Sequence, residues 1–209
     1  MKKCLFLCAI LTLLLCEGPK TWAQNFSVST NIPSLLAGNI NIEPSIGLNY
    51  NLSLQLSLQA KPFKLGLPLP TGLIHTLYGQ ARLAPTERLS WSKVAHTENI
   101  TFTPSLRYWG KGTYNQGAFF GLHGIVSLYK YGSDKYNPNY SKGIFYGAGC
   151  SAGYSWVLSS HWNLEAELGA SLIYTKYDLL TPQDVVLSQG KTRMLALPTR
   201  VSLSLVYVI

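Results

Sequence analysis

The residues of this chain that could carry chemistry are few, and they fall in one phase of a repeating pattern. Glu43, Arg107, His123, Glu165, Glu167 and Arg200 each stand where polar residues alternate with apolar ones, and each occupies the polar phase. Alternate residues of a strand share a face, so all six are expected on one side of the sheet that carries them. Counted from the shorter connections, Arg107, His123, Glu165 and Glu167 lie at comparable depth. A charge enclosed there must be paired or hydrogen-bonded. The pattern therefore predicts an internal ion-pair network in which Arg107 bridges Glu165 and Glu167; a proton or small-ion path and acid–base catalysis are the alternatives.

Nucleophilic chemistry finds weaker support. Ser127 follows His123 by four positions on the same face, but about 13 Å separates them at roughly 3.3 Å per residue, too far for a hydrogen bond. His75 and His96 fall in a long connection with Ser90 and Ser92, where a Ser–His pairing stays open. A lipid-modifying enzyme would need nucleophile and base together at a lipid-facing rim. No Cys/His spacing resembles a metal site, and neither metal nor cofactor is expected. Cys4, Cys8 and Cys16 lie near the N-terminus, and Cys150 stands in the apolar phase between Ala148 and Ala152, so it reads as a small apolar residue outside any disulfide framework.

The elements that must position these residues begin after an N-terminal segment of distinct character. Lys2 and Lys3 precede an apolar run from Cys4 to Cys16, and Thr21-Trp22-Ala23 closes a polar stretch. This is the layout of a cleaved signal peptide over 1–23, leaving 24–209 as one domain; the run is shorter than the roughly 20 residues a spanning helix needs. Charged residues make up 12% of the chain, against about 25% in soluble domains. The net charge of +8 is spread over single positions without a groove-reading motif, which argues against nucleic acid.

Leu52, Leu54, Leu56 and Leu58 alternate with Ser53, Gln55, Ser57 and Gln59, and Trp162 to Thr175 repeats the pattern. In the last strand Leu197, Thr199, Val201, Leu203, Leu205, Tyr207 and Ile209 are expected on the apolar face. Strands are predicted near 25–32, 40–49, 52–61, 99–109, 118–131, 143–157, 162–175 and 196–209, with longer connections (33–39, 62–98, 132–142, 176–195) interleaved with short turns. Such parity fits an all-β fold, an eight-stranded antiparallel transmembrane β-barrel of up-and-down meander topology, with short turns facing the periplasm and long loops facing outward.

Three features favour lipid around this sheet over a soluble sandwich. One is the charge deficit. Another is the polar phase Gly143, Gly147, Gly149, Ser151, Gly153 and Ser155, small enough for a narrow lumen but poor at solubilising a surface. The third is that Tyr108, Tyr154, Trp156, Trp162, Tyr174 and Tyr207 sit near strand ends on the apolar face. Trp162 and Tyr174 are twelve residues apart, about 40 Å along a strand and roughly 30 Å of height when tilted, the spacing of aromatic girdles. Lys130, Lys135, Lys142, Lys176 and Lys191 are expected in outward loops, where anionic lipopolysaccharide or a protein could meet them.

From Ile42 onward the chain resembles a family of Bacteroidetes outer-membrane proteins, domain of unknown function 3575. The resemblance rests on Pro104-Ser105-Leu106-Arg107-Tyr108-Trp109, Phe120-Gly121-Leu122-His123-Gly124, Tyr146-Gly147-Ala148-Gly149, Gly153-Tyr154-Ser155-Trp156, Trp162-Asn163-Leu164-Glu165 and the closing Pro198-Thr199-Arg200 with Ser204-Leu205-Val206-Tyr207. It implies a small barrel associated with the cell surface and with fimbria-type assembly, and no known reaction. The stretch from Phe63 to Ser90 looks longer than the family's corresponding loop. The expected function is a non-enzymatic outer-membrane scaffold displaying its loops, with a narrow ion or small-solute channel as the alternative and a lipid A modifying enzyme behind both.

Overall fold

The computed structural model describes residues 25–62, 67–71, 85–111, 113–133 and 137–209. The expected signal segment 1–23 lies outside them, as do much of the long connection and Lys135.

Ten strands are present among these residues: β1 (Phe26–Asn31), β2 (Ile40–Gly47), β3 (Leu52–Lys61), β4 (Leu67–Pro70), β5 (Trp91–Val94), β6 (His96–Trp109), β7 (Gly117–Gly132), β8 (Tyr140–Val157), β9 (Trp162–Leu180) and β10 (Val186–Val208). Eight of them form a ring of antiparallel strands in the order β1-β10-β9-β8-β7-β6-β3-β2, and β4 with β5 makes a separate hairpin. The ring closes where Ser27 pairs with Val208 and Ser29 with Val206 on one side, and Ser27 with Ser45 on the other. Closure leaves no free sheet edge.

The eight predicted strands are all found, several of them longer. The predicted loop 176–195 is mostly strand: β9 runs to Leu180, β10 starts at Val186, and the Thr181 N–H donates to the Val185 carbonyl in a tight turn. Antiparallel strands already in register continue to pair until a turn stops them, here at Pro182 and at Asp184, which holds φ 63°. Lys176 and Lys191 therefore lie on strands, not in a loop, and so do Lys130 and Lys142 at the ends of β7 and β8. The predicted loop 62–98 holds the β4–β5 hairpin and the start of β6. In the predicted loop 33–39, helix α1 (Ile32–Leu36) forms because the Asn31 side chain accepts from the Ser34 N–H and Pro33 sits in the first turn.

The final strand departs from simple alternation. Pro198 pairs with Ala170 and Arg200 with Gly169, so Thr199 is an extra residue in a β-bulge. A bulge shifts the phase by one residue. Leu197 and Thr199, expected on the apolar face, turn instead toward the interior, while Val201, Leu203 and Tyr207 remain exposed as expected.

Inside and outside are inverted relative to a water-soluble domain. Among the described residues, 30 buried ones are polar or charged and nine are hydrophobic, whereas interiors are ordinarily apolar. The outward face carries exposed Ile100, Leu122, Leu128, Leu168, Leu172 and Val201. The inner glycines of β8 let β9 approach closely: a Cβ on Gly147 would come within 2.2 Å of the Leu172 carbonyl oxygen, and one on Gly149 within 2.2 Å of that of Ala170. Small residues here are what allow the ring to be narrow.

Candidate functional site: a polar closure of the lumen

Five strands deliver charged or amide side chains to one level of the interior. Each does so by parity alone: Glu43 on β2, Gln55 on β3, Arg107 on β6, Glu165 and Glu167 on β9 and Arg200 on β10 all occupy inward positions, each no more than 5% exposed. Arg107 reaches Glu165 at 2.9 Å through Nη1 and Glu167 at 2.5 Å through Nη2. The bridge expected from the sequence is thus present in the geometry. Arg200 approaches Glu167 from the other side, with Nη2 at 3.0 Å from Oε2 and Nε donating to Oε1 over 3.2 Å.

The network continues across the ring. Arg200 donates to Gln55 Oε1 over 2.6 Å and lies 3.5 Å from Glu43 Oε1. Gln55 donates to Glu43 Oε2 over 3.2 Å, and the Ser57 hydroxyl donates to Glu43 Oε1 over 2.8 Å. Three carboxylates and two guanidiniums thereby lie in one layer. Bidentate Arg–carboxylate contacts are the strongest way to hold such charges away from water.

A second tier, invisible to the sequence reading, closes the short-turn end. Trp109 is wholly buried and donates from Nε1 to Ser53 Oγ over 2.9 Å. Its ring meets Tyr114 edge-on at 6.1 Å and Phe119 at 4.8 Å, and the Arg107 guanidinium sits 4.4 Å above the Phe119 ring. Tyr114 shares a 2.8 Å hydrogen bond with Ser27. The Asn115 carbonyl accepts from Asn163 at 2.7 Å and from Ser155 at 3.0 Å. The connection after β6, read as an ordinary short turn, thus folds inward and puts Tyr114 and Asn115 into the lumen; the left-handed φ of 59° at Asn115 is the local device. An Asn two residues before Gly117 was the available signal, since both residue types tolerate that conformation.

His123 lies on the opposite side of the charged layer from Trp109. Its Nε2 is 2.9 Å from Ser171 Oγ and 3.3 Å from Thr199 Oγ1, and those two hydroxyls are 2.6 Å apart. Its partners come from facing strands, where the sequence reading had considered only Ser127 on its own strand. Ser127 instead shares a hydrogen bond with Thr101. His123 and Ser171 are 4% and 3% exposed. His96 is 3.3 Å from Glu98 and stacks on Tyr140, Ser90 donates to the Glu87 carbonyl, and His75 lies outside the described residues.

On the outer surface, Tyr108, Tyr154, Trp156, Trp162, Tyr174 and Tyr207 are all exposed. Tyr154 lies against Trp156, and Trp162 against Tyr207, near the short-turn end; Tyr174 lies against Tyr146 toward the other. Lys130 pairs across strands with Lys142, Lys142 with Asp178, and Lys176 with Ile144. Cross-strand partners share a face, so these lysines border the outer apolar surface just beyond Tyr146 and Tyr174. Cys150 is exposed on the same face. Among the described residues no group of three or more His, Cys, Asp or Glu could hold a metal ion.

The sequence matches the model of the family described as protein of unknown function DUF3575 over residues 6–209. The chain belongs to that family. The match takes in the region before Ile42 as well as the motifs from Pro104 to Tyr207, so DUF3575 membership covers the strands that contribute Glu43 and Gln55 along with those of Arg107, Glu167 and Arg200. No curated protein and no solved structure matches this DUF3575 chain.

Proposed function

We propose that the chain is an outer-membrane β-barrel, exported by a cleaved signal peptide over 1–23, that acts as a closed, non-enzymatic scaffold presenting its long-loop end at the cell surface. The observation that carries this reading is the inversion of the ring: apolar side chains outside between two sets of aromatic residues, charges inside. Water would leave the outer face unsatisfied. An acyl-chain environment removes that cost, and the distance between Trp162 and Tyr174, roughly 30 Å once strand tilt is allowed for, matches a hydrocarbon core of about 30 Å.

Two tiers of closure favour a scaffold over a channel. The ion pairs of Arg107 and Arg200 and the ring cluster of Trp109, Tyr114 and Phe119 together obstruct the path from the short-turn end. The burial of His123 and Ser171 inside the ring, away from the lipid-facing surface, favours a non-enzymatic role over the lipid A modifying alternative. Lys130, Lys142 and Lys176 border the outer face at the level where lipopolysaccharide phosphates would lie, which makes lipopolysaccharide a partner of this reading; a fimbrial or other surface protein would meet the β4–β5 hairpin. Recording from planar bilayers tests the scaffold: near-baseline current from inserted protein supports it, and steady conductance supports the channel.

A further inference from the structure

Beyond the charged layer, on the side of the long connections, the lumen is not filled. A cavity of about 240 Å³ lies there, above the His123–Ser171–Thr199 group. Phe145, Ile173, Leu195 and Leu197 line it together with polar residues that include Thr101, Ser127 and Arg193. Leu195 and Leu197 point inward because the bulge at Thr199 reverses the phase of β10 above it. One layer lower, Glu43, Gln55, Arg107, Glu167 and Arg200 are joined by ion pairs and hydrogen bonds.

The contrast is informative. A lumen that merely needed filling would be packed, as protein interiors are, and a hydrated one would be polar throughout. A space whose wall is mostly apolar surface with a minority of polar atoms holds water poorly and accepts apolar ligands. A few polar groups at one end of an apolar pocket are the usual make-up of a small-molecule site. The charged side chain on the inward phase there is that of Arg193, which pairs across strands with Thr175.

We propose that this chamber binds a small anionic amphiphile, its alkyl or aryl part against Phe145, Ile173, Leu195 and Leu197 and its anionic head toward Arg193. A cavity of about 150 Å³ accommodates benzene, so this one suits a ligand of roughly ten non-hydrogen atoms, the size of octanoate. The site depends on the closed ring, not on the bilayer assignment.

Octanoate is the probe. The mature chain is placed in nanodiscs of long-chain phosphatidylcholine freed of alkyl detergent, and octanoate, octanol and octylamine are titrated calorimetrically against protein-free nanodiscs. One saturable site for octanoate is expected, with octylamine at least tenfold weaker. Leu197→Trp and Ile173→Phe fill the chamber and should each weaken octanoate tenfold or more, while Arg193→Gln should weaken octanoate but not octanol. Retained folding of each variant is checked by heat-modifiable migration on gels. Absence of a saturable site, or equal affinity in the wild type and both folded filling variants, overturns the proposal; octylamine binding as tightly as octanoate overturns the anionic head. A chain that will not enter nanodiscs contradicts the membrane reading alone, and the same titration in amphipol then decides the chamber.

Discussion

Arg107 and Glu167, 60 residues apart in the chain, meet at 2.5 Å inside the ring, and Glu167 is held from its other side by Arg200 at 3.0 Å. One carboxylate thus ties β6, β9 and β10 together. Such an arrangement is costly to break, because removing one partner strands the other charge away from water.

Glu167→Gln leaves Arg107 with Glu165 and Arg200 with Glu43 but removes the carboxylate that joins the two arginines, and should lower stability by about 1–3 kcal/mol, measured by urea unfolding in lipid vesicles. The double variant with Arg107→Met should cost less than the two single changes added together, since both break the same Arg107–Glu167 contact. Strict additivity of the two substitutions would show that they do not interact.

The two tiers should act as independent gates. Trp109→Ala with Tyr114→Ala removes the ring cluster but leaves the ion pairs, and should keep single-molecule conductance near baseline. Adding Arg107→Ser should produce a measurable open level in planar bilayers. Large current from the ring-cluster variant alone would mean that the charged layer does not seal.

Deleting Thr199 removes the bulge and leaves both flanking segments in phase: Leu197 and Arg200 stay inward, and Pro198 and Val201 stay outward. The deletion should fold, at a cost of about 1–2 kcal/mol for the lost hydrogen bonds to His123 and Ser171, read by heat-modifiable migration and urea titration. Failure to fold would mean that the bulge sets the ring's curvature and not only its phase.

Gly149→Val places atoms within 2.2 Å of the Ala170 carbonyl and 2.3 Å of Ser171 Oγ, and should abolish refolding into vesicles. Gly124→Ala, whose added Cβ meets nothing nearer than Pro104 at 3.8 Å, should fold normally. Equal behaviour of the two would refute the close approach of β8 and β9.

Strand existence and the inward set Glu43, Arg107, His123, Glu165, Glu167 and Arg200 were legible in the sequence, because a two-residue period encodes face directly. Which inward residues meet depends on strand stagger around the ring, and stagger leaves no mark on a single strand; hence Gln55 as the partner of Arg200, and Ser171 as that of His123, were missed. The bulge at Thr199 was missed because one extra residue mimics continued alternation to either side of it. The loop assignment of Lys130, Lys142, Lys176 and Lys191 failed for a related reason: polar side chains on strand extensions beyond the apolar band look like loop composition. The inward fold of Tyr114 and Asn115 rests on a local φ reversal that a short turn permits but does not require.

Spin labels on a Cys150→Ser background test the orientation of the sheet most directly. A label at Leu168, on the outer face midway between Trp162 and Tyr174, should be accessible to oxygen dissolved in the bilayer and shielded from a water-soluble nickel chelate, while a label at Leu187 near the β9–β10 turn should show the reverse. Nickel access at Leu168 equal to that at Leu187 would contradict a lipid-facing exterior.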